Sequence, residues 1–209
     1  AILRAGGHRT GLYTSPHLVD FCERIRVDGK KILPMEVAAG MTEIRAVSQD
    51  WDHAPTYFEI ATALALWYFA RRECAVIVLE TGMGGRLDAT NVTVPVVSVL
   101  TPIAIDHAEW LGKTLAEVAG EKAGIIKPGV PVVSARQEPE AGDVITRVAA
   151  ERGGELFTVE ATGFVGELAL SGPHQRANAA LAIRALQLAG LAPAEAYIAQ
   201  GLREVYWPG

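Results

Sequence analysis

Only two of the 209 residues are cysteines, Cys22 and Cys74, far apart and outside any C-x-x-C or histidine-spaced pattern. That argues against a disulfide framework and a zinc site, and makes a reducing cytoplasm the expected setting. Positive charge is also scarce: 19 Lys and Arg face 24 Asp and Glu, for a net charge of −5 with no basic cluster. A surface for nucleic acid or anionic membrane is therefore not expected. No apolar run is long enough to cross a bilayer, since the longest helix candidate, Ile60 to Ala70, lies between Glu59 and Arg71. The opening residues carry no signal-peptide core, and there is no internal repeat or low-complexity linker. What remains is a chain that is 50% apolar and 21% charged, long enough for one α/β core.

The chemistry concentrates between Ala75 and Asn91. The run Ala-Val-Ile-Val-Leu predicts a strand buried on both faces, with Glu80 at its carboxyl end and Gly82, Gly84 and Gly85 directly after. Ligands of open α/β sheets collect at the carboxyl ends of strands. A carboxylate there, with glycines permitting close backbone approach, suits a metal ion carrying phosphate oxygens. A plain strand-end acid before a glycine turn would look the same.

Other segments supply candidates of the same kind. Gly11 to Thr14 reads as a strand ending in Ser15-Pro16-His17, where Pro16 favours an extended Ser15. Ile25-Arg26-Val27 and Lys31-Ile32 flank Asp28-Gly29 as a hairpin, and Pro34 opens a helix to about Ser48. Thr56-Tyr57-Phe58-Glu59 is a capping box before a helix running to Arg72, which by itself accounts for Thr56 and Glu59. Val96 to Leu100 is a second buried strand leading to Asp106-His107, from which His107 could reach a metal held by Glu80 if the strands are neighbours. A helix begins at Thr114, and its spacing puts Lys122 on the inward face. Such a lysine either snorkels or is paired or chemically used. Gly112-Lys113-Thr114 is not a phosphate-binding P-loop, because the position five before Gly112 is His107. Pro131 to Ser134 and Glu155 to Val159 are strands around a helix from Pro139 to Arg152, and Phe164 to Leu170 is read as an antiparallel edge. Gly172-Pro173 introduces a helix through Ala189 with His174, Gln175 and Asn178 in its first turns, and a last helix follows Pro193. The alternation predicts a doubly wound, mostly parallel α/β sheet.

In order along the chain, Gly11-Leu-Tyr-Thr-Ser-Pro-His-Leu18, Glu23-Arg-Ile25, Thr56-Tyr-Phe-Glu59, Leu79-Glu-Thr-Gly-Met-Gly-Gly-Arg-Leu-Asp-Ala-Thr-Asn91, Asp106-His107, Leu111-Gly112, Glu121-Lys-Ala-Gly-Ile125 and His174-Gln-x-x-Asn178 form one series. This series resembles the folylpolyglutamate synthase/dihydrofolate synthase family, a branch of the Mur-type ATP-dependent amide ligases, over nearly the whole chain. The resemblance implies an enzyme of the P-loop/Mur-ligase ATPase fold that makes an amide in two steps. ATP phosphorylates a carboxylate of dihydropteroate or a folate, and the amine of L-glutamate attacks the acyl phosphate.

Carried over by position, the resemblance implies Ser15, Glu80 and His107 as holders of Mg2+, with Glu80, His107 and Lys122 as the catalytic set. It implies a carbamylated Lys122, and Asn178 beside the adenine with His174 and Gln175. Thr56, Tyr57, Phe58, Glu59, Arg86, Leu87 and Asp88 would border the pterin or folate. Two departures accompany it: the family's P-loop, expected upstream of Ala1, and its glutamate-binding domain, expected after Trp207-Pro208-Gly209, are outside this sequence. Residues 1–209 are accordingly expected to be part of one ATPase domain, monomeric and inactive when alone. The competing expectations are a Mur ligase acting on a peptidoglycan precursor, and a non-catalytic fragment of such a ligase.

Overall fold

The computed structural model of the chain describes residues 1–160 and 164–207, so Pro208 and Gly209 of the terminal Trp-Pro-Gly lie outside it. Its strands divide between two sheets. The first has the order β3-β2-β1-β4, with β1 at Thr10–Tyr13, β2 at Ile25–Val27, β3 at Lys30–Lys31 and β4 at Val76–Leu79. β1 runs parallel to β4, with Thr10 opposite Val76 and Tyr13 opposite Leu79, and antiparallel to β2. The β2–β3 hairpin turns on Asp28 and Gly29, both at positive φ (50° and 82°), as a two-residue turn of this hand requires. The second sheet is wholly parallel, β5-β6-β7, at Ser98–Leu100, Val132–Ala135 and Leu156–Val159.

Helices cover these sheets unequally. On the first sheet, α2 (Pro34–Ser48) and α3 (Tyr57–Arg71) follow the short α1 (Ile2–Ala5), and α3 packs its Ala61, Leu64, Ala65 and Phe69 against Tyr13 and Ile25. Gly11 faces the Phe69 ring, and a Cβ there would lie 2.7 Å from it, so a side chain on β1 would push the helix away. The second sheet is sandwiched. After the one-turn α4 (Ala108–Leu111), α5 (Leu115–Ala123) and α6 (Pro139–Glu151) bury Val118, Ala119 and Ile145 against Val132. On the opposite face α7 (His174–Leu188) buries Leu181 and Ala185 against Val133 and Ala135, and α8 (Glu195–Glu204) closes with α1 around Ile2 and Leu202.

Two expectations are corrected. β4 is not buried on both faces: Ile77 is 39% and Val78 44% exposed. It pairs only with β1, and among the described residues no core cluster includes Val78. Phe164 to Leu170 is not a strand. Its described backbone docks elsewhere, the Ala169 amide donating to the Leu202 carbonyl at the end of α8.

The α3 interface is expected to carry much of the first sheet's stability. Phe69 is fully buried, and Phe69→Ala removes a ring whose space Gly11 cannot fill. A loss of about 3–5 kcal/mol in chemical denaturation is expected; a loss below about 1 kcal/mol would show that the ring is not a keystone of this interface.

Candidate active site

The parallel pairing of β1 and β4 sets their carboxyl ends side by side, and the candidate site begins there. The Glu80 amide donates to the Tyr13 carbonyl (3.0 Å), continuing the ladder by one rung. One rung further the Ser15 amide donates to Glu80 Oε2 at 2.8 Å, across a separation of 65 residues. The peptide bond from Ser15 to Pro16 is cis. Burial raises the Glu80 carboxyl above its ordinary pKa, against which the Ser15 amide works in the opposite direction. Glu80 is nevertheless open to solvent on one side, and the Ser15 amide is its one hydrogen-bond donor among the described residues.

The glycine loop after Glu80 is built by close approach. A Cβ on Gly82 would collide with the Phe58 ring, and one on Gly85 would lie 2.7 Å from the carbonyls of both Glu121 and Lys122. Gly85 thus lets the loop seat against the last turn of α5. The Arg86 amide donates to the Glu121 carbonyl (2.8 Å), and its guanidinium donates to Glu121 Oε1 through Nε and Nη2 (3.2 and 2.9 Å). Asn91 Nδ2 bridges the carbonyls of Arg86 and Gly124, and Lys127 Nζ holds the Asn91 carbonyl at 2.6 Å. Asp88 Oδ2 accepts the amides of Gly82 and Met83, while Oδ1 accepts the Thr90 amide and hydroxyl. Those four bonds use the acceptor capacity of a carboxylate. In this structure Asp88 clamps its own loop, and it meets a ligand only by giving up one of these bonds.

Thr56 and Glu59 form the capping box. Glu59 Oε2 accepts from the Thr56 amide and hydroxyl (2.7 Å each), and these bonds lower its pKa. Tyr57 is 58% exposed beside the site, while Phe58 turns inward against Tyr13 (ring centroids 5.9 Å). Leu87 and Met83, 79% and 44% exposed, are the loop's large apolar residues open to solvent.

The remaining candidates sit on their own elements. His107 caps α4 in the left-handed region (φ 50°), its ring exposed and paired only with Asp106, Nε2 to Oδ2 at 3.6 Å. Lys122 is half-buried on the last turn of α5, without an ion-pair partner among the described residues. Its backbone carbonyl touches Gly85, which ties its helix to the Glu80 loop. In the first turn of α7, Asn178 Nδ2 donates to Gln175 Oε1 (3.2 Å) and Gln175 Nε2 meets His174 Nε2 (3.2 Å). Ser15 and Glu80 are therefore joined, whereas among the described residues no hydrogen bond or ion pair links them to His107, Lys122 or the α7 group. Among the described residues no three His, Cys, Asp or Glu side chains converge as a metal site. A cation at Glu80 would draw its other ligands from hydroxyl and phosphate oxygens, as Mg2+ commonly does.

Known proteins share this sequence and fold. Dihydrofolate synthase/folylpolyglutamate synthase of Escherichia coli is 38% identical over 225 residues, covering 100% of this chain and 52% of that protein. Folylpolyglutamate synthase of Lacticaseibacillus casei is 37% identical over 241 residues, covering 99% of this chain and 56% of that protein. The chain belongs to the folylpolyglutamate synthase/dihydrofolate synthase family. The structure of E. coli FolC in complex with DHPP and ADP superimposes with a TM-score of 0.88 at 36% identity, over 100% of this chain and 53% of that one. No family model matches the sequence. The chain spans about half the length of the curated relatives it matches.

Two features of this synthase-family site escape motif reading. Glu23 pins the loop that carries Ser15: Oε2 accepts the Leu18 amide (2.9 Å) and Oε1 pairs with Lys31 (3.1 Å). The Leu18 amide first, then Lys31, hold its pKa down to about 2. Arg24 is the other, buried beside Tyr57. Both belong to the Glu-Arg-Ile words of the sequence, which have no chemical signature of their own.

Glu23 ionises more readily folded than unfolded, so its contribution is present above the ordinary carboxylate pKa of 4.5 and is lost as pH falls toward about 2. Hydrogen exchange at the Leu18 amide should accelerate, relative to the core, across that window, and Glu23→Gln should release it already at pH 7. An amide equally protected at pH 2.5 would remove Glu23 as the pin. Gly85→Ala tests the loop seat: with two backbone carbonyls in the way, a stability loss of about 1–3 kcal/mol and weakened ligand binding are expected. Wild-type stability would show that the loop seats elsewhere in solution.

Proposed function

We propose that this chain forms part of the catalytic apparatus of an ATP-dependent ligase that joins L-glutamate to dihydropteroate, to a folate, or to both. The observation that supports this most is the Ser15–Glu80 contact at the carboxyl ends of β1 and β4, beneath a glycine loop. It lies in a chain 38% identical to a dihydrofolate synthase/folylpolyglutamate synthase. Residues 1–209 are taken as part of one ATPase domain, cytoplasmic and monomeric.

Glu80 and the Ser15 hydroxyl are the groups here that fit Mg2+. Glu80 is a carboxylate with one amide donor and a face open to solvent, free to take a cation there. When bound, the ion supplies charge neutralisation for phosphoryl transfer. His107 joins this set only by leaving Asp106. Lys122, half-buried on the last turn of α5 whose carbonyl meets Gly85, is the residue whose free amine would add to carbon dioxide, losing a proton, to give a carbamate. The carbamylated side chain would place an anionic group near the cation.

Tyr57, Phe58, Thr56, Glu59 and the loop residues Arg86, Leu87 and Asp88 line the side where a planar pterin would lie. His174, Gln175 and Asn178 offer donors and acceptors at the adenine end. The carboxylate to be activated would then meet the ATP γ-phosphate beside Glu80, with the Arg86–Glu121 bond fixing the loop against α5. The acyl phosphate formed is consumed by the amine of L-glutamate.

Glu80→Gln is the test. In the active protein turnover should fall by at least about 100-fold, as expected when the environment of a bound metal is disturbed. Because Glu80 is desolvated when charged, the same change should leave thermal stability equal or higher. Near-normal turnover would make Glu80 an ordinary strand-end acid. Turnover of UDP-linked peptides and not of folates would overturn the substrate assignment.

A further inference from the structure

Arg24 is buried, with 8% of its surface exposed, yet it takes part in no ion pair among the described residues. Its Nε donates to His17 Nδ1 at 2.8 Å, so the ring nitrogen carries a lone pair and His17 supplies no compensating charge. Its guanidinium carbon lies 5.6 Å from the centroid of the Tyr57 ring. That ring is held edge-to-face by Phe21, which in turn packs against His17.

The nearby acids are committed elsewhere. Glu23 is bound to Lys31 and the Leu18 amide, Asp20 accepts the Cys22 amide, and Asp88 is saturated by its own loop. No buried polar side-chain atom of the described residues lacks a partner, so the unbonded Nη groups of Arg24 reach the surface. The side chain is thus a largely buried cation whose unbonded Nη groups keep some solvent contact beside an exposed aromatic ring. Burying an unpaired charge is costly, and a ligand anion removes the cost.

We propose that Arg24 binds a carboxylate of the pteroyl substrate on its two Nη groups, with Tyr57 against the ligand's aromatic part and His17 holding the guanidinium in orientation. This rests on the substrate class assigned above. A planar fork matches a carboxylate bidentately. A phosphate cradle would need further cations or a row of backbone amides, whereas the side chains shown against the Arg24 guanidinium are the His17 and Tyr57 rings. Arg24 also sits next along the ladder from Ser15 and Glu80, since the Thr14 amide donates to its carbonyl at 2.9 Å. The anion therefore binds at the same end of the sheet as the candidate reaction centre, and His17 is a positioning residue.

The test is calorimetric titration of the intact protein with pteroate, with its uncharged carboxamide and with folate. Wild type should bind pteroate and folate more tightly than the carboxamide. In Arg24→Met that preference should vanish, a loss of about 10- to 100-fold for the carboxylates, with carboxamide affinity unchanged. A loss confined to pteroate assigns the contact to the benzoate carboxylate, which in folate is an amide; a loss confined to folate assigns it to a glutamyl carboxylate; a loss for both shows that Arg24 takes either. His17→Ala should reproduce part of the loss and His17→Asn, whose amide oxygen takes the place of Nδ1, should restore it. Should the Met variant not fold, Arg24→Gln gives the same comparison without the charge. Equal weakening of all three ligands, or none, overturns the proposal. Failure of wild type to bind any of the three overturns the substrate assignment and this proposal together.

Discussion

The bond from the Ser15 amide to the Glu80 carboxylate depends on one constraint, the parallel register of β1 and β4. In that register Tyr13 lies opposite Leu79, and each strand then releases its next residues at the same level. An antiparallel or shifted pairing would separate Ser15 from Glu80 by the length of a strand or turn one of them to the other face. The register is itself held from behind. Gly11 admits the Phe69 ring, and Tyr13 is buried between α3 and the hairpin, its hydroxyl bonded to Thr62 at 3.3 Å. A buried aromatic core thus sets the position of a polar contact at the edge of the sheet.

From Glu80 the constraint passes into the second sheet through the loop. Gly85 permits contact with two carbonyls of α5, and Arg86, Asn91 and Lys127 lock that contact by hydrogen bonds to Glu121, Gly124 and one another. α5 is in turn part of the sandwich over Val132. Position is therefore transmitted from one sheet to the other by backbone contact and charge-assisted bonds rather than by a shared apolar core. Small residues are required along this path because carbonyls, unlike side chains, cannot move aside.

Much of the fold was legible in the sequence because it depends on local signals. The Asp28-Gly29 turn, the capping box at Thr56, the helix start at Thr114 and the helices opened by Pro34 and Pro139 all stand where turn and helix-start signals put them. The reading of β4 failed because an unbroken apolar run reports hydrophobicity and not what covers it. Phe164 to Leu170 failed because a strand needs a neighbouring edge, and this segment bonds to α8 instead. In the site, Ser15 and Glu80 could be paired from their places at strand ends. Asp88 and Glu23 could not, since nothing local says that one closes a loop by four bonds and the other pins a chain five residues away.

The charges of the candidate site share a property that single positions do not reveal. Glu80 is a carboxylate that burial pushes toward its neutral form, while Lys122 and Arg24 are cations with no anion beside them among the described residues. A folded protein ordinarily pairs such groups with one another, as it does with Arg86 and Glu121 a turn away. Here they are held apart on β4, α5 and the start of β2, by backbone that is itself well packed. Pairing them internally would stabilise the chain and close the site. On the function and substrate contact proposed above, keeping them separate leaves a cation for Glu80, an anion for Arg24 and a carbamate for Lys122. That division explains why the residues with the least internal satisfaction cluster at one end of the first sheet and at the turn of α5 tied to it.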